Sequence, residues 1–366
     1  MSVLADRIDR LIGLSKGNEI DAFAFVPGPN FMYLTGLDLH LMERPTIFVI
    51  CADGAQFAIM PSIEQQKWFQ AMPHTKTFYW TDAEGPKAAF AWLAEHCGHI
   101  TLGVEGLRMR VAEYDALRAC WQRDKVVNAD YILKSLRMLK DVGELNALRQ
   151  AIEISEAALQ ATLDATHTGH TELQVKARLQ QAMLSHGAEG FAFDPIVLTG
   201  AEAANPHGTS ADRLIVPGAC LLIDFGASYG GMHADITRTF FCQYLSKEHH
   251  RIYDVVHAAS EAGKEVVKIG ERIGKVDDAA TSVLEASPYA NLILHKTGHG
   301  LGHDIHEAPQ VMRGNNTLME QGMVFTIEPG LYKSSELGVR IEDNIHVGPD
   351  GSDCLTSFDR ELQIFG

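Results

Sequence analysis

Residues 221–240 read LLIDFGASYGGMHADITRTF, and this stretch decides the fold. Leu221, Leu222 and Ile223 run as an apolar strand straight into Asp224. Ser228, Tyr229, Gly230 and Gly231 supply turn chemistry, and a second strand follows over 233–241 with Asp235 near its start. Glycines between β-prone runs signal a hairpin. With Tyr229 and Gly230 as the two turn residues, Asp224 and Asp235 face each other across the ladder. A turn displaced by one residue makes them diagonal instead. Directly opposed side chains sit roughly 4.5–5.5 Å apart at Cβ, where like charges repel. A cation between them is one way to stabilise the pair. Two strand-end aspartates facing water is the other reading of this stretch alone.

The chain has 366 residues, enough for roughly two domains of ordinary size. It is 46% hydrophobic and 21% charged, as a globular protein with a full core is. The formal net charge of −16 makes nucleic acid and anionic membrane surfaces poor partners. No run approaches the roughly 18 apolar residues of a membrane span, and the charged N-terminus does not read as a secretory signal. The six cysteines are dispersed without CxxC spacing, which disfavours a cysteine-rich zinc module and fits a reducing cytoplasm.

Along residues 5–129 short apolar strands alternate with helical stretches, the mark of an α/β unit with a parallel or mixed sheet. Asp53-Gly54 marks a hairpin between 46–52 and 56–60. Past residue 133 the character changes. Asp141 with Glu144 reads as a capping box opening a helix that reaches about 165, and Thr171 caps another. This places a smaller domain at 1–132 and a larger one at 133–366. In the larger one, His207 sits in a polar loop, and residues 295–309 (HKTGHGLGHDIHEAP) carry an unusual histidine load. Glu328 ends a strand before Pro329-Gly330. The last predicted strand, 338–347, puts Arg340 and Glu342 on one face.

Asp224, Asp235, Glu328 and Glu342 therefore all end or border apolar strands, and His299 and His306 share a glycine-rich loop. Each has a bland explanation alone. Together they need a common one, because unpaired buried carboxylates are costly. Four carboxylates suit two divalent ions. An oxygen-rich set with one or two imidazoles favours manganese, cobalt or iron over a purely structural zinc. Two such ions about 3.5–4 Å apart can activate water and polarise a carbonyl.

The segments LLIDFGASYGGMHADITRTF, TGHGLGHDIHEAP, GMVFTIEPGLY and GVRIEDNIHV resemble, in order, the signature blocks of the pita-bread metallopeptidases. The likeness is to the proline-directed branch that holds aminopeptidase P and prolidase. It covers essentially all of 133–366. The first domain is more loosely similar to the creatinase-type N-terminal domain, notably through VPGPNFMYLTG. The resemblance implies an α+β pita-bread catalytic domain behind a smaller α/β domain. It also implies hydrolysis of the peptide bond preceding proline in a small peptide, in a cytoplasmic homodimer. Asp224 would chelate one metal, Asp235 and Glu342 would bridge, and His299 and Glu328 would bind the second. Manganese is the expected metal, with cobalt, zinc and iron as alternatives. His207 and His306 would hold the scissile carbonyl, Arg340 would orient an aspartate ligand, and Glu328 would also shuttle the proton.

Two positions depart from the pattern. His303 stands where relatives mostly carry an apolar residue, and it reads as a loop histidine first and a further pocket group second. Gln310 follows HEAP where prolidase-type members often have an arginine that holds a dipeptide's carboxylate, which points away from strict dipeptidase activity and toward longer peptides or another substrate unless nearby Arg313 compensates. The rival readings are a small-molecule hydrolase or lyase on the same fold, and a metal-dependent scaffold without turnover. Creatinase itself lacks the metal ligands, and all five are present here.

Overall fold

The computed structural model describes residues 3–98 and 100–366. The chain divides into two compact units, Met1–Arg137 and Met138–Gly366.

The first unit is built on a mixed sheet of six strands: β1 (Ala22–Phe25), β2 (Ile47–Cys51), β3 (Gln56–Pro61), β4 (Lys76–Trp80), β5 (Leu102–Val104) and β6 (Val126–Asn128). They lie in the order β4-β3-β2-β1-β5-β6. The β2–β3 pair is the hairpin around Asp53-Gly54, and its Ala55 N–H is capped by Asp53 Oδ1 at 2.9 Å. Alternation sorts the side chains onto two covered faces. Phe23, Phe25, Phe48, Ile50, Ala58 and Met60 pack on one side with Leu11 and Trp68. Ala22, Ala24, Ile47, Val49, Phe57 and Ile59 pack on the other with Phe90, Leu93 and Leu117.

The second unit has fourteen strands among the described residues. They are β7 (Gly190–Phe191), β8 (Ile196–Thr199), β9 (Cys220–Phe225), β10 (Ala227–Tyr229), β11 (Met232–His233), β12 (Ile236–Cys242) and β13 (Gly298–Gly300). There follow β14 (Glu307–Val311), β15 (Val324–Ile327), β16 (Gly330–Lys333), β17 (Leu337–Arg340), β18 (Asp343–Gly348), β19 (Gly351–Cys354) and β20 (Ile364–Phe365). Two sheets carry the site, β20-β12-β9-β8 and β14-β13-β15-β18-β19. Long helices Val142–Asp164, Glu172–Ser185, Lys247–Glu265 and Gly274–Glu285 flank them. The first two open on full capping boxes, Asp141 with Glu144 and Thr171 with Gln174.

Strand β9 shows why its sequence reads as a continuous apolar run. Leu221, Ile223 and Phe225 join the core under helices Val142–Asp164 and Glu172–Ser185. Cys220 and Leu222 join the core on the opposite face. With both faces covered, alternation disappears, as in any doubly buried sheet.

The hairpin register differs from the expected one. The turn residues are Gly230 and Gly231, both with positive φ (56° and 74°), between paired Tyr229 and Met232. Both turn positions need φ > 0, which tyrosine resists and glycine does not. Asp224 therefore pairs with Thr237, and Asp235 is its diagonal neighbour. The predicted strand 338–347 is also two strands, since β17 ends at Arg340 and β18 begins at Asp343. Glu342 lies in the break and forms an isolated antiparallel bridge with Thr237. Nor is this the end of the sheet structure, because β19 and β20 follow.

Behind the break, Asp343 is fully buried and accepts from Arg238 (2.7 Å), Lys264 (2.9 Å) and Arg360 (2.5 Å). These three cations hold its carboxyl well below the usual range against the cost of burial. Arg238 also donates to the backbone carbonyls of Glu342, Phe358 and Asp359. Strand β20 then pairs in parallel with β12.

Candidate active site

One cavity of about 580 Å³ in the second unit is lined by Asp224, Asp235, His299, Glu328 and Glu342, together with His207, His306 and Arg340. The size suits a small ligand, for which sites run roughly 300–1,000 Å³. The sequence-predicted residues, 135 positions apart at their extremes from His207 to Glu342, thus line one cavity.

Three overlapping groups have ligand atoms mutually within 4.8 Å: Asp224, Asp235 and Glu342; His299, Glu328 and Glu342; Asp235, His299 and His306. His299 Nε2 lies 3.6 Å from Asp235 Oδ2 and 3.4 Å from Glu328 Oε1. His299 Nδ1 lies 3.1 Å from the carbonyl of Gly300, which can only accept, so Nδ1–H donates to it and Nε2 keeps the lone pair. Gly298 and Gly300 let strands pass close, since a Cβ on either would meet a backbone oxygen at 2.1 or 2.3 Å.

The carboxylates are held by groups that leave oxygens over. Arg340 donates to Asp224 Oδ2, to Thr237 Oγ1 (3.0 Å) and to the Tyr332 hydroxyl (3.0 Å). Thr237 Oγ1 donates to Glu342 Oε2 at 2.7 Å. Asn344 brackets the backbone of Asp235, accepting from its N–H at 3.2 Å and donating to its carbonyl at 2.6 Å. Asp224 Oδ1 and Glu342 Oε1 remain buried with no hydrogen-bond partner. Orphaned buried oxygens are rare and call for an explanation, and a cation supplies one. The donor set, oxygen-rich with one imidazole, fits hard or borderline divalent ions.

The electrostatics agree. Burial, and then the charges of Glu342, Asp224 and Glu328, push the Asp235 carboxyl well above its ordinary range. Burial, and then Glu328 and Asp224, do the same to Glu342. Burial raises Glu328 to about 7, and lowers His299 to about 3 and His295 to about 4. Protein groups alone do not compensate this many acids.

His306 stacks edge-on to His299, with ring centroids 4.2 Å apart, and His207 lines the cavity as an exposed side chain. Two departures resolve differently from the sequence reading. His303 is not a loose loop histidine: it is buried, and its Nε2 lies 2.8 Å from Glu144 Oε1. Arg313 does not line the cavity; it forks onto Glu285 at 2.7 and 2.9 Å. Sequence reasoning did not single out Thr237, Asn344, His295 or Tyr332. The polar Thr237 and Thr239 inside an apolar strand were the available signal, since a buried hydroxyl needs a partner.

Fold and cavity together define a metallopeptidase: a pita-bread catalytic domain behind a creatinase-type N-terminal domain. The model of metallopeptidase family M24 matches residues 146–349, and that of the creatinase/prolidase N-terminal domain matches 7–139. The chain belongs to metallopeptidase family M24. Among solved structures, it is similar to a prolidase from Thermococcus sibiricus (30% identity, TM-score 0.94, 100% of both chains). It is also similar to a dipeptidase from Pyrococcus horikoshii (32%, 0.91, 98% of this chain and 100% of that one). An X-Pro aminopeptidase from Thermotoga maritima matches as well (29%, 0.85, 98% and 99%). Among the described residues no helix is long and apolar enough to cross a membrane.

Proposed function

We propose that this enzyme hydrolyses the peptide bond preceding proline in short peptides, using two divalent metal ions. The observation that carries the reading is the convergence of five ligand-type side chains, with orphaned oxygens on Asp224 and Glu342, in one small cavity. The prolidase and X-Pro aminopeptidase among its structural neighbours support the same specificity. Asp224 would hold one ion, His299 and Glu328 the other, and Asp235 and Glu342 both. Manganese suits the oxygen-rich set best. Bound there, the ions would supply Lewis acidity and a water acidic enough to act as nucleophile near neutral pH.

The protein's own groups do the rest. His306 and His207 face the cavity where they can donate to the scissile carbonyl oxygen as charge develops on it. A carboxylate oxygen of Glu328 carries the proton to the leaving imide nitrogen. Arg340 fixes Asp224 and, through Thr237, Glu342. Phe193, Ile196 and Ile305 give the cavity an apolar wall for a proline ring. Proline's nitrogen has no hydrogen, so shape can select it. Six free cysteines suit a reducing cytoplasm.

The test is a substrate series with manganese-loaded protein: Ala-Pro, Ala-Pro-Ala, Ala-Ala and a non-peptide amide panel. Cleavage of Xaa-Pro bonds with Ala-Ala left intact is the expected result. Failure on every Xaa-Pro peptide would remove the reading.

A further inference from the structure

Asp277 lies outside the cavity lining, in the first turn of the helix Gly274–Glu285, and is buried. Its carboxylate accepts four hydrogen bonds. Oδ1 takes Thr297 N–H at 3.0 Å, Thr297 Oγ1 at 2.5 Å and Thr281 Oγ1 at 3.0 Å. Oδ2 takes Arg313 N–H at 2.7 Å. Thr297, itself buried, is thus clasped by both of its donors. Its carbonyl carries the tie onward, accepting Glu328 N–H at 2.7 Å. Two residues after Thr297 comes His299, whose own N–H donates to Thr326 Oγ1 at 3.2 Å, and Thr326 stands two residues before Glu328. Residues 297–299 and 326–328 therefore form one small frame with a tie at each end, and Asp277 anchors that frame to the helix. Asp224 is held by a different group, Arg340.

We infer that Asp277 is a positioning residue of the metal centre: by clasping Thr297 it fixes the spacing of His299 and Glu328, and so sets the affinity for the ion those two side chains share. The inference rests on the two-ion reading of this cavity. A ligand pair binds tightly only when its supports already hold it at the right separation. The ion on Asp224 depends on this frame only through the bridging groups. A carboxylate is needed at 277 because four donors converge on it. An asparagine of the same shape has a single oxygen, and its amide N–H groups would face either the two donors of Thr297 or Arg313 N–H.

The experiment dialyses manganese-loaded full-length protein against graded chelator and reads metal per chain by elemental analysis. Wild type should hold two ions. In Asp277→Asn one of them should bind about 10- to 100-fold more weakly, the usual effect of losing a group that orients a ligand, while the other changes by less than about threefold. On a His299→Ala background Asp277→Asn should add nothing, because both act on the same ion. Thr297→Val, which cuts the hydroxyl bond alone, should give the same one-ion loss at smaller size, and Thr297→Ser should bind as wild type. Should Asp277→Asn not fold, Thr297→Val decides alone. Glu172→Gln is the control for general loosening, since Glu172 is an equally buried carboxylate whose partners, Thr199 N–H, Ala211 N–H and Arg213, are not ligands. It should keep both ions. Unchanged affinities in Asp277→Asn and Thr297→Val, equal loss of both ions, an additive effect with His299→Ala, or the same loss in Glu172→Gln would each overturn the inference and leave the two-ion reading standing. If wild type holds fewer than two ions per chain, that reading falls and the inference with it.

Discussion

Thr237 and Glu342 hold each other twice. Glu342 N–H donates to the Thr237 carbonyl at 3.0 Å, and Thr237 Oγ1 donates to Glu342 Oε2 at 2.7 Å. The same hydroxyl accepts from Arg340 Nε at 3.0 Å. Thr237→Val keeps the shape and removes both side-chain bonds. Metal affinity should fall by roughly 10- to 100-fold, the usual effect of losing a group that orients a ligand. Stability should drop by about 2 kcal/mol, since a donor to a charged acceptor is lost. Manganese titration and thermal unfolding measure the two; an unchanged affinity would show that the hydroxyl does not orient Glu342.

Asp235 and Glu328 take part in two different ligand groups that share His299. Asp235→Ala and Glu328→Ala should each abolish turnover and weaken metal binding. In the wild type, chelation should lower the melting temperature of the second unit, and manganese should restore it. At 1,000 times Kd each ion adds about 4 kcal/mol. Either variant with normal activity and full metal content by elemental analysis would refute its assignment.

In the first unit Glu105 is buried and accepts from Val26 N at 3.0 Å and Asn30 Nδ2 at 2.9 Å. Burial pushes its carboxyl up to about 7, against those bonds and the charges of Arg108 and Arg137. The folded state thus keeps a proton that the unfolded chain releases near pH 4. Its contribution is fully present below that pH and is lost as pH rises toward 7, by up to roughly 3 kcal/mol. Glu105→Gln should flatten this slope. Urea midpoints of the first unit from pH 5 to 8 test it, and parallel slopes in variant and wild type count against it.

Gly226 separates Asp224 from the diagonal Asp235 and has no room for a methyl group: a Cβ there would lie 1.7 Å from the Ala234 carbonyl oxygen. Gly226→Ala must displace backbone, at a cost of about 3 kcal/mol or more. It should lower both thermal stability and manganese affinity. A variant that melts and binds like wild type would show that the hairpin relaxes freely.

Much of this was legible before any coordinates. Local chemistry marked the capping box at Asp141, the helix cap at Thr171 and the Asp53-Gly54 hairpin, because each is decided within four or five residues. The metal-ligand types stood out because acids bordering apolar strands are expensive. The register did not, because shifting the turn from Tyr229-Gly230 to Gly230-Gly231 changes one residue locally yet moves every cross-strand partner. The break after Arg340 was hidden for a related reason. Glu342 leaves its strand to meet Thr237, 105 residues earlier, and no local propensity records that pairing. His303 misled because its partner, Glu144, is 159 residues away.

The tail beyond Cys354 bears on how this protein can be engineered. Arg360 grips Asp343, the neighbour of Glu342, while Phe358 and Asp359 satisfy Arg238 and Ile364-Phe365 zip onto the strand that follows Asp235. Trimming those dozen residues would take away one of the three cations on buried Asp343 and two of the carbonyls that buried Arg238 donates to, directly behind the cavity. Truncation libraries and split-protein designs should leave this end intact.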